Sequence, residues 1–134
     1  MRFRPWPVLL AASCIVGPAM AANWVYVATS DAEVPKHIDI DSITRSGDLV
    51  YVWEKSDHAK DKAASYASEK DRRLYDCTAR RSKLLNAFEY SSDGTVLRSF
   101  SWGEQDADWN AIVPESIGEA TFDFACHYSP PPPG

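Results

Sequence analysis

This sequence lacks most of the marks of catalysis. Its three histidines, His37, His58 and His127, lie far apart and show neither HExxH nor HxH spacing, so no zinc-type ligand set stands out. No GxSxG, SxxK, phosphate loop or dinucleotide fingerprint occurs. The three cysteines form no CxxC pair, which leaves neither a redox motif nor a Cys/His metal site. Apolar runs are short: none approaches the roughly 20 residues that cross a bilayer core of about 30 Å, so no retained transmembrane anchor is expected. Basic residues are scarce toward the C-terminus, where residues 84–134 hold Arg98 alone against eight acids. These absences point to a protein that is not an enzyme and needs no cofactor or metal.

What is present begins with a leader. Arg2 and Arg4 form a short basic region, Val8 to Val16 an apolar run, and Ala19-Met20-Ala21 a small-residue cleavage site. Residues 1–22 therefore read as a signal peptide, the mature chain starting near Ala22 or Asn23 in the periplasm or at the cell surface. A rival reading takes Leu10 to Cys14 as a lipobox that would lipidate Cys14. Against it, the apolar run continues through Ile15 and Val16, and Ala11 stands where such motifs usually carry leucine.

Export leaves Cys77 and Cys126 in an oxidising compartment, where they are expected to pair. About 112 residues make one domain with a modest core. A bridge closing about 50 residues would stabilise it by roughly 4 kcal/mol in the chain-entropy model. The mature charge is −7, from 12 basic and 19 acidic side chains, which disfavours general nucleic-acid binding. Yet residues 55–83 hold nine basic side chains against five acidic ones. Lys70, Arg72, Arg73, Arg80 and Arg81 are thus candidates for a polyanion or protein partner. The competing reading is a solvated face whose charges pair with neighbours.

Along the chain, Trp24–Ala28, His37–Ile40 and Leu49–Trp53 read as strands from their β-branched and aromatic content. Residues 41–47 suit one tight helical turn before a reversal, and Ser56–Ala64 an exposed loop. Tyr66–Arg81 is ambiguous, with helical propensity but no apolar stripe. Leu84–Tyr90 and Thr95–Trp102 flank Ser91-Ser92-Asp93-Gly94, the expected hairpin turn, with aromatic partners facing each other across the strands. Glu104–Trp109 is an acidic loop. Pro114-Glu115-Ser116 opens a helix whose sheet-facing stripe is Ile117, Ala120 or Thr121, and Phe124. Residues 129–134 form a proline-rich tail.

Two carboxylate sets, Asp39 with Asp41 and Glu104 with Asp106 and Asp108, have the oxygen ligands a hard cation takes. Neither has a calcium loop's glycine and distal glutamate, so capping or solvated carboxylates are the preferred reading. Trp24, Trp53 and Trp109 read as core, and Trp102 as the partly exposed tryptophan able to anchor a partner.

Several ordered landmarks resemble the surface-adhesin E family of exported bacterial proteins. They are the Trp24 strand, Ile40-Asp41-Ser42-Ile43-x-Arg45-x-Gly47, Val50-Tyr51-Val52-Trp53, Tyr66-Ala67-Ser68-x-Lys70, Asp76-Cys77, Trp109-x-x-Ile112-x-Pro114-x-Ser116-x-Gly118 and Cys126. The resemblance implies an α+β domain over residues 23–128, a single antiparallel sheet joined to a C-terminal helix by the disulfide. It also turns Tyr66–Arg81 toward strand. The family name implies a binding protein of adhesin type, with a host extracellular-matrix or serum protein as partner. An envelope accessory protein, or an inhibitor of an exported enzyme, is the alternative. Edge strands would then capture a partner or form a homodimer.

Overall fold

The computed structural model describes residues 21–133, so residues 1–20 of the expected leader, Cys14 among them, lie outside the described residues. Its elements are β1 (Trp24–Thr29), β2 (Pro35–Asp39), a 3-10 turn (Ile40–Ser42), β3 (Thr44–Ser46), β4 (Leu49–Asp57), β5 (Ser68–Asp76), β6 (Arg81–Tyr90), β7 (Val96–Ser101), β8 (Asn110–Ala111) and α1 (Ile117–His127). All strands form one antiparallel sheet in the order β1-β2-β4-β5-β6-β7. The short β3 extends β2's side of β4, and β8 extends β7's side of β6.

Residues 66–81 resolve to strand. β5 pairs along its whole length with β4 and β6, and this two-sided ladder overrides the helical propensity of its alanines and charged residues. β4 is longer than expected. Its burial alternates through Val50, Val52, Glu54 and Ser56, so Ser56 and Asp57 belong to the strand rather than to the following loop. The expected helical turn shrinks to Ile40–Ser42, because Thr44–Ser46 pairs with β4 before Gly47 reverses the chain at φ 60°. Asp39 caps that turn, its Oδ1 accepting from the Asp41 and Asn23 amides.

The hairpin forms at Ser91–Gly94, with Gly94 at φ 86°. Its cross-strand aromatic pairing does not. A bulge in β7 at Leu97 shifts the register, so Phe100 faces Ala87 and Phe88 faces Ser99. Phe100 instead stacks on Trp102, just past the end of β7, ring centres 5.9 Å apart.

α1 lies on one face of the sheet. Ser116 is its N-cap, accepting from the Glu119 amide at 3.1 Å, so Pro114 and Glu115 precede the helix and Glu119 is the carboxylate in its first turn. The buried stripe is Thr121, Phe122 and Ala125, while Phe124 is only partly covered. Phe122 meets Tyr75 edge-on at 5.5 Å within a core that includes Ile38, Val50 and Val52. Each such large side chain contributes about 1.5–3 kcal/mol. The Cys77–Cys126 disulfide, Cα atoms 5.8 Å apart, fastens the helix end to the β5–β6 turn. Arg45 Nη2 donates to the carbonyls of Ala125, Cys126 and Tyr128 at 3.0, 2.6 and 3.1 Å, placing a cation at the negative end of the helix dipole.

Candidate functional site

Strand alternation sends successive side chains to opposite faces. On the face under α1, where the apolar core ends, a polar network begins. Tyr75 donates to Glu54 and lies 3.0 Å from Thr121 Oγ1, while Arg73 reaches Glu54 at 3.4 Å and Asp71 at 3.3 Å. Burial, then the charge and hydrogen bond of Glu54, hold the Tyr75 hydroxyl far above its usual pKa. Burial, then a hydrogen bond to Glu69, pushes the Asp71 carboxyl up to about 7. Asp71 Oδ1 is buried without a donor, which suits a protonated carboxyl giving its own hydrogen. Tyr66, donating to Glu69 at 3.0 Å, is raised to about 12 by burial and by Glu69. These bonds are spent inside the network, tying β4 to β5 and, through Tyr75 and Thr121, the sheet to the helix.

The opposite face divides in two. Its lower half is covered by the acidic loop, which seats Ala107 and Trp109 on Leu74 and Leu85. Glu104 anchors this loop, accepting from the Tyr51 hydroxyl at 2.7 Å, while its carbonyl accepts from Lys83 Nζ at 2.5 Å. Arg81 and Lys83 lie over the Trp109 ring at 4.3 and 4.7 Å.

The upper half is uncovered. Register places Lys55 opposite Lys70, Lys70 opposite Phe88, and Trp53 opposite Arg72. Trp24, Asp39, Trp53, Lys70, Phe88 and Tyr90 line an open groove of about 270 Å³. Lys55 sits 5.2 Å from the Trp24 ring centre, Lys70 5.0 Å from Tyr90 and Arg72 5.2 Å from Tyr51. Among the described residues, Lys55, Lys70 and Arg72 have aromatic rings beside them and no carboxylate within ion-pair distance. His37 borders this region against Tyr26, and burial, then Lys55, lowers its pKa.

A sequence profile described as surface-adhesin protein E matches residues 24–127. The chain belongs to the surface-adhesin protein E family. No curated protein and no solved structure matches it.

In this adhesin-family domain the five basic candidates do not form one surface. Lys70 and Arg72 share the open face. Arg73 points to the helix side and is engaged by Glu54 and Asp71, Arg80 pairs with Glu119 at 2.7 Å, and Arg81 with Asp76 at 3.1 Å. Trp102 is 41% exposed, away from the groove near the end of β7. The tryptophans expected in the core are half-buried: Trp24 and Trp53 wall the open groove, and Trp109 lies beneath Arg81 and Lys83. Sequence reasoning passed over Lys55, Trp53, Phe88 and Tyr90 as site residues. Their signal was the two-residue period that puts Tyr51, Trp53 and Lys55 on one face, with Lys70, Arg72, Phe88 and Tyr90 following on the next strands. Among the described residues no helix is long and apolar enough to cross a membrane, and no three-residue His/Cys/Asp/Glu cluster is placed to hold a metal.

Proposed function

We propose that the protein is an exported, non-catalytic binding module that holds a macromolecular partner on the uncovered half of its sheet. The partner is a matrix or serum protein, or a polyanion, met in the periplasm or at the cell surface after a leader is removed near Ala22. One observation carries this reading: Lys55 and Lys70 stand directly opposite each other on the uncovered sheet face with Arg72 beside them and, among the described residues, no carboxylate within ion-pair distance. Like charges directly opposite each other on a sheet are destabilising, which favours a role for them beyond holding the fold together. The accessory or inhibitor reading has less support, because the acidic loop it would use is tied down through Glu104. Edge pairing with a second copy is assigned to β7, an outermost strand that exposes Val96, Leu97 and Phe100.

Capture of matrix and serum proteins by the purified protein, compared with a Trp53→Ala/Arg72→Glu variant, tests the assignment. Loss of capture with an intact fold is expected. Equal capture by the variant overturns it.

A further inference from the structure

We propose that the open-face groove recognises an acidic saccharide, stacking a pyranose ring on its aromatic walls and pairing the sugar's carboxylate with Lys70 and the neighbouring Lys55; this rests on the reading that the open face is the binding surface. Three features of the groove point to a sugar. At about 270 Å³ it falls just below the roughly 300–1,000 Å³ of sites that enclose drug-sized ligands, so it receives one ring of a longer chain. Its walls are four aromatic side chains, with Trp53 and Phe88 tilted against each other at 6.0 Å. Such rings are rigid, and their faces pack against the C–H face of a pyranose at little entropic cost.

Its polar groups are of both kinds. Lys70 donates, and Asp39 accepts while held in place by the Asn23 amide at 2.9 Å and the Asp41 amide at 3.2 Å. A hydroxyl both gives and takes hydrogen bonds, so it suits this pair. A phosphodiester backbone only accepts, so it offers Asp39 no donor. An acidic peptide is also a poor fit. The groove lies over paired strands whose backbone groups are already spent in the ladder, leaving none for strand addition. Lys70 in the groove, with Lys55 over Trp24 and Arg72 over Tyr51 at its margin and none of the three within ion-pair distance of a carboxylate, selects an acidic sugar over a neutral one.

The test is calorimetric titration of the purified protein with a hyaluronan tetrasaccharide, in which uronate alternates with a neutral sugar, while tryptophan emission is followed. Saturable binding with an emission change is expected. Trp53→Ala should weaken it at least about tenfold, Trp53→Phe less, and Lys70→Gln several-fold with a shallower salt dependence. Val113→Ser, on a remote exposed residue, should change nothing. A neutral cellotetraose, a thymidine tetranucleotide and a tetraglutamate peptide are the comparison ligands. The proposal is overturned if the tetrasaccharide gives neither heat nor emission change, if a comparison ligand binds as tightly, or if folded Trp53→Ala binds it unchanged. Loss of protein capture in the open-face variants without saccharide binding would refute the ligand and leave the binding face standing. Capture that survives those variants would refute the face itself.

Discussion

Replacing Asp71 by asparagine should stabilise the protein at neutral pH and remove part of its pH dependence. Asp71 is 2% exposed, and its carboxyl is raised from 3.8 to about 7, chiefly by burial and then by Glu69. In the unfolded chain it ionises near its ordinary value. Below that pH both states are protonated and the stabilisation is fully present. As pH rises toward 7 the unfolded state gives up its proton while the folded state keeps it, and stability falls by about 1.4 kcal/mol per pH unit. Across the interval this amounts to on the order of 4 kcal/mol, with no further change once both states are ionised. Asparagine has nearly the same shape, stays neutral, and can present its oxygen to Arg73 and its amide to Glu69. Urea unfolding of both proteins, disulfide intact, from pH 3.5 to 8.5 is the assay. The stability difference in favour of Asp71→Asn should widen from pH 4 to 7 and then level off, with unchanged m-values. Glu69→Gln should narrow the wild-type dependence. Parallel wild-type and Asp71→Asn curves across this range would refute the reasoning.

Reducing the Cys77–Cys126 bridge should cost about 2–4 kcal/mol, read as a lower thermal midpoint in reductant and absent from a Cys77→Ser/Cys126→Ser variant. Arg45→Ala should cost about 1–2 kcal/mol and speed amide exchange at residues 124–128, since one guanidinium nitrogen serves three carbonyls at the helix end. Phe122→Ala should cost about 3–5 kcal/mol in denaturant unfolding, because its ring is 1% exposed and wedged against Tyr75.

The sequence was most legible where pattern and constraint coincided. The Asp93-Gly94 turn, the Trp24 strand and the pairing of Cys77 with Cys126 were each expected from the sequence, and the structure has them. The length of β4 was not legible. The strand reads as ending at Trp53 and Ser56-Asp57 as polar loop, until Tyr75 and Arg73 arrive from the next strand to satisfy Glu54. The hairpin's facing pairs failed because a bulge changes register without any composition to mark it. The candidate site was half visible. Basic residues concentrated between 55 and 83 were apparent, but which side of the sheet each took depended on register. Arg72 and Arg73, adjacent in the chain, end on opposite faces, one beside Tyr51 and the other beside Glu54.

The bond between Cys77 and Cys126 also sets how the domain carries load. A chain pulled at both ends would transmit tension from the helix end directly into the β5–β6 turn, bypassing everything between. The 49-residue separation corresponds to about 170 Å of extended chain that cannot pay out while the bridge is intact. β6, β7, the acidic loop and α1 would be shielded from peeling, and only the N-terminal strands could lengthen. Trp24 and Trp53 wall the open groove from those strands, so stretching would dismantle the groove before it reached the C-terminal half, and whatever the proposed face held would be released by force.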